Sequence, residues 1–269
     1  MEFLTILLSG LLGLITPVGL VIDRTAENAI RSQLAKAEQL EVRVDNAPSH
    51  QLLQGKVERL RVAGRSLQLK KQNIQIAALE LETDAIELDP SSFGKKRPRF
   101  KKPLQAGVRL VFTQQDMNGL LQSPQLMTQL RQLKINVDDS FNTEYNSVYK
   151  FLNPNVKFLA NNRLSFQVEL QEVGQDKPLL IRVESGLNIV GGRYIQLVNP
   201  IAAANGEEVP PQVLNEIVNN INNRLDLANL EDDGLQVRIL QLNIRPDELE
   251  IAVFIRVEPS SKFLETHSS

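Results

Sequence analysis

The chain has 269 residues, 42% of them apolar, which suffices for one large domain or two small ones and excludes wholesale disorder. It has no cysteine and only two histidines, His50 and His267, which excludes disulfides, thiolate chemistry and histidine-rich metal sites; the absence of tryptophan weighs against stacking of bases or sugars. The net charge is −2, yet residues 95–102 (KKRPRFKK) hold six cations, so the rest of the chain stands near about −8 and an anionic partner is implied at this one place.

In chain order, residues 3–22 come first, a run of twenty without a charge. At ~1.5 Å per residue a helix of that length just spans a hydrocarbon core. Pro17 and three glycines interrupt it, and no basic residue precedes it. Three readings stand: an uncleaved anchor, a signal peptide and a helix buried on the protein's own core. The basic residues that follow put the body on the cytoplasmic side by the positive-inside count, with the periplasmic or envelope side as the alternative. Residues 23–39 then read as a helix, with Ile22, Ala26, Ile30, Leu34 and Ala37 on one apolar face.

From Leu40 the apolar period becomes two, the pattern of half-buried strands. Residues 73–89 alternate with phase changes near Ala77–Ala78 and Thr83–Ala85, where bends or bulges are expected. Glu80, Glu82, Asp84, Glu87 and Asp89 read as an acidic strand face, not as a general acid/base pair. The loop 91–103 follows, carrying Lys95, Lys96, Arg97, Arg99, Phe100, Lys101 and Lys102. It reads either as a dock for an anionic membrane surface, with Phe100 dipping into the interface, or as a solubilising loop. Nucleic acid is not the expected partner, since the basic density is confined to this octet.

A strand at LQAGVRLVF leads into a helix capped by Thr113 and Asp116, and Pro124 opens a further turn with Leu126, Met127, Leu130 and Leu133. Strands resume around a tight turn at Asn161–Asn162, and Leu164, Phe166, Val168 and Leu170 share one face. Gly191–Gly192 marks a second turn. The helix over VPPQVLNEIVNNINNRLDLANL presents Val213, Leu214, Ile217, Val218, Ile221 and Leu225 as a wide stripe, expected to face the Leu164–Leu170 set. A hairpin turning at Arg245-Pro-Asp-Glu248 closes the domain. The pattern predicts an α+β fold, a long and strongly curved antiparallel sheet wrapped around one or more helices, with either a filled core or an apolar groove inside. No nucleophile elbow, P-loop, zinc-helix motif or calcium loop occurs, so neither catalytic residues, nor a metal, nor a cofactor is expected.

Taken together, LLQGKVERLRVAGRSLQLKKQNIQIAALELETDAIELD, FTQQDMNGLLQSP, NNRLSFQVEL, VPPQVLNEIVNNINNRLDLANL and the closing hairpin resemble the LmeA-like phospholipid-binding family, especially its cyanobacterial members. Gln115 departs slightly from that pattern, since the family commonly has an acidic residue near this position. Through the family the chain resembles the tubular lipid-binding (TULIP) superfamily. The resemblance implies a TULIP-like single domain over 23–258, preceded by a hydrophobic segment 1–22 and followed by a flexible tail 259–269. It further implies non-enzymatic binding of a phospholipid or similar amphiphile in a groove that includes Leu164, Phe166, Val168, Leu170, Ile217 and Ile221. A structural or protein-interaction module of the membrane or envelope with a filled core is the alternative, and an enzyme with a cryptic site is a third reading.

Overall fold

Short apolar–polar alternations become strands here, and tight turns with positive φ decide which strands meet. The computed structural model describes residues 23–45, 54–70, 74–92, 99–124, 126–128, 149–172, 174 and 177–264. The run 3–22, Lys95, Lys96, Arg97, Leu130, Leu133, both histidines and the last five residues lie outside the described residues, as do the side chains of Ala26, Ile217 and Ile221.

After helix α1 (Asp23–Gln33) come β1 (Leu34–Lys36), β2 (Gln39–Asp45), β3 (Lys56–Val57), β4 (Arg59–Leu69), β5 (Gln75–Thr83), β6 (Ile86–Glu87) and β7 (Leu104–Thr113). Helix α2 (Gln114–Leu121) separates these from β8 (Tyr149–Leu159), β9 (Arg163–Glu172), β10 (Leu179–Val190), β11 (Tyr194–Ala204) and β12 (Glu207–Glu208). Helix α3 (Pro211–Arg224), β13 (Leu235–Ile244) and β14 (Glu248–Val257) complete the order. The first helix is shorter than expected: Leu34 begins a strand and is buried against the core instead of extending the helical stripe.

The strands form a seven-stranded sheet, β1-β4-β5-β7-β14-β13 with β2 also on β4, a five-stranded sheet, β12-β11-β10-β9-β8, and the two-stranded β3-β6. The large sheet is dry on one side. Leu60, Leu79, Phe112 and Ile255 there pack with Ile30 of α1, Leu227 and Leu230 of a 3₁₀ segment, and Phe263. Each such fully buried side chain contributes about 1.5–3 kcal/mol. The wet side is laced with ion pairs: Glu80 meets Arg109, and Glu82 meets Arg59 and Arg61. β4 and β5 change face together, at Ser66 (φ +50°) and at Ala77–Ala78, so Leu67 and Ile76 stay paired and buried.

The expected single sheet, strongly curved around a helix, is not what forms. Among the described residues the strands divide among several sheets, none closed or strongly curled, and the helices α1, α2 and α3, of 11, 8 and 14 residues, are not wrapped by a sheet. The tubular arrangement implied by the resemblance is therefore set aside. The physical reason lies in the edges. Residues 149–204 close on one another through hairpins at 160–162 and 191–193, whose αL residues Asn161, Asn162, Gly191 and Gly192 reverse the chain. The edges left over are taken by helices. On α2 and its C-cap, Gln114, Asn118 and Gln122 lie one turn apart and bond the outer edge of β8: Asn118 receives from Val156 N at 2.7 Å and donates to Val156 O at 3.0 Å. Gln114 accepts from Phe158 N, and Gln122 donates to Pro154 O. Beside β11, Asn222 of α3 accepts from Leu197 N, and the Leu225 carbonyl accepts from Ile195 N. With these groups satisfied, the second sheet does not continue the first.

The two large sheets meet tip to edge. Gly192 O accepts from Ile239 N, while Asn162 accepts from Ile244 N and donates to Leu242 O, so two hairpin tips occupy the outer edge of β13.

Candidate functional site

Backbone register puts one apolar face across four strands of the five-stranded sheet. Leu164 aligns with Phe158 and Ser185, Phe166 with Val156 and Val183, Val168 with Ile181, and Leu170 with Phe151 and Leu179. Ala202 extends the Phe166 row on β11. Near the hairpin tips this face is closed: Val156 and Phe158 pack with Ile244, joined by Met117, Leu121 and Leu164. Along the rest of the face the cover is uneven, and Leu164 beside the tip is itself half-buried. Val168 is buried, Phe166, Leu170, Ile181 and Val183 are half-buried, and Leu179 is exposed. The structure thus brings Leu164, Phe166, Val168 and Leu170 together on one face. The α3 helix packs on β11, two strands from β9. The side chains of Ile217 and Ile221 fall outside the described residues, while Val213, Leu214 and Val218 of the same stripe are half-buried.

The basic loop springs from a stapled stem. Leu88 bridges Phe100, Asp89 N donates to Arg99 O at 2.7 Å, and Lys101 N donates to Glu87 O at 2.8 Å. Buried Ser92 donates to Asp89 O and accepts from Arg99 N. Phe100 is 7% exposed and belongs to the main core, so it anchors the loop and is not placed to dip into an interface. Arg99, Lys101 and Lys102 are exposed. Lys102 donates to Glu87 at 2.6 Å; this hydrogen bond, helped by the charges of Lys56 and Lys101, holds the Glu87 carboxyl below its ordinary range.

The acidic stripe expected on 80–89 is matched by cations on its neighbours: Glu80, Glu82 and Glu87 all sit in ion pairs. A cleft of about 210 Å³ lies between α2 and the start of β5, lined by Gln75, Gln115, Asp116, Gly119 and Leu120. It is smaller than the ~300–1,000 Å³ of ordinary small-molecule sites and mostly polar, a poor match for an acyl chain. Among the described residues there is no cluster of three metal-ligating groups, and no helix is long and apolar enough to cross a membrane.

A family model described as LmeA-like phospholipid-binding matches residues 15–254. No curated protein and no solved structure matches the chain.

Proposed function

The chain belongs to the LmeA-like phospholipid-binding family, and from that premise we propose that it binds a phospholipid or similar amphiphile, without catalysis, at a membrane. The observation that carries this reading is the apolar face around Phe166, Val168 and Leu170, continuous over four strands yet unevenly covered, with Val168 and Ala202 buried and Leu164, Phe166 and Leu170 only half-buried. Acyl chains lying there would complete the burial that the protein's own side chains leave undone. The cationic loop supplies what docking on an anionic bilayer needs, about 1 kcal/mol per lysine or arginine near the surface. Residues 3–22 would hold the chain to that membrane, and full-length protein released by a carbonate wash would count against the anchor.

Native mass spectrometry after gentle extraction tests the binding itself. A copurifying amphiphile of defined mass is expected. Phe166→Trp should reduce uptake of a fluorescent lipid while leaving the denaturant midpoint nearly unchanged. The filled interior of the seven-stranded sheet and the small cleft favour a second reading, an interaction module with no lipid site. Under it the parent protein carries no lipid, and Phe166→Trp overpacks the sheet at a cost of about 1–3 kcal/mol.

A further inference from the structure

The cations of the loop stem are gathered from two segments far apart in the chain. Phe100 is locked inward by the core and bridged to Leu88, which leaves Arg99 and Lys101 exposed on either side of it. β3 lies against β6 with Lys56 directly opposite Glu87, so Lys56 joins the same patch from forty residues earlier in the chain. Among the described residues, Lys56, Arg99 and Lys101 form no ion pair. Glu87 is the carboxylate in their midst, and Lys102 reaches down to it at 2.6 Å. Asp89 accepts from the backbone N–H and hydroxyl of Ser91.

We propose that the stem itself is a lipid-headgroup surface: Lys56, Arg99 and Lys101 bind the phosphates of an anionic bilayer, and Glu87 limits how strongly they do so. This rests on the docking role read for the loop above and assigns to it two residues, Lys56 and Glu87, that lie outside the basic octet. The chemistry is that of several cations brought together by paired backbone, which meet headgroup phosphates by charge. A carboxylate among them subtracts from the local positive potential, so removing it strengthens the surface instead of weakening it.

The test is flotation of the full chain with vesicles of phosphatidylglycerol and phosphatidylcholine, compared with phosphatidylcholine alone, at low and high salt. The ratio of the two isolates the charge-dependent part from anything residues 3–22 contribute. Lys56→Gln and Lys101→Gln should each lower the anionic preference by about fivefold, and Glu87→Gln should raise it by about fivefold. High salt should flatten all of these differences. Thermal melts of the same variants identify any that fail to fold; Lys56→Gln and Lys101→Gln, at exposed positions, keep the test standing if Glu87→Gln does not. A preference lost on changing Lys95, Lys96 and Arg97 to glutamine but untouched by the stem variants overturns this proposal and leaves the docking role of the loop intact. A parent protein with no anionic preference overturns both.

Discussion

Asn118 does the work of a neighbouring strand with one side chain. Its amide meets both the N–H and the carbonyl of Val156, a residue 5% exposed at the edge of β8. Asn118→Ala leaves both groups without that partner. The expected cost is about 1–3 kcal/mol, seen as a lower urea midpoint with an unchanged slope. Glu250 shows the same economy in charge. The hydrogen bond from Arg109 holds its carboxyl below the ordinary 4.5, so Glu250 stabilises the fold above that value and the contribution fades as pH falls through the lowered folded value. Glu250→Gln should therefore narrow the difference in urea midpoint between pH 7 and pH 3. An equal acid loss in both proteins would rule the pair out as a source of acid sensitivity. The sequence reveals part of this residue-scale detail. The Thr113–Asp116 cap is legible and forms in both directions. The amides of Gln114, Asn118 and Gln122 stand in the same stretch at a spacing of four, but a polar helix face looks the same whether it meets water or a strand edge.

Elements are legible in the sequence where one turn type decides them. The hairpin over 235–257 closes through Arg245 and Glu248, which exchange both backbone bonds, and its faces alternate as the sequence predicts apart from a bulge between Ile239 and Gln241. The phase change at Ala77–Ala78 is real, and its partner at Ser66 shows why it is tolerated: both strands roll over at one rung. The docked hairpin tip is more demanding. Gly192 has φ +71°, and an added Cβ would lie 3.3 Å from the Ile239 carbonyl. Gly192→Ala should cost roughly 1–2 kcal/mol through the αL strain alone and push the tip off β13. Faster hydrogen exchange at the Ile239 amide, with β4 and β5 unaffected, is the expected signature. Protection equal to the parent would show that the tip absorbs the methyl.

At the scale of the whole molecule, alternation tells that a strand has two faces but not which sheet it joins. Strands β4 and β9 look alike in sequence, yet one lies over a dry core and the other over a half-open face. That is why the sequence suggests one wrapped sheet where two are joined tip to edge, and why the shared face of Leu164 to Leu170 was legible while its incomplete cover was not. The difference in burial should appear as a difference in local stability. Amides in 163–172 and 179–190 should exchange before those in 104–113 and 248–257 under native conditions. The reverse order, measured by mass spectrometry, would mean that the smaller sheet is the more robust.

The pairing of β7 with β14 carries a further consequence, one of time. Residues 104–113 pair with β5 on one side and find their second partner only at 248–257. At a synthesis rate of ~5–20 residues per second, the hydrophobic edge of β7 waits roughly 7–30 s for that strand to be made. During that interval β5 covers one side of β7 and nothing of the final sheet covers the other. The nascent chain thus spends that period with a half-built sheet open to any passing strand, and the arrival of β14 ends it.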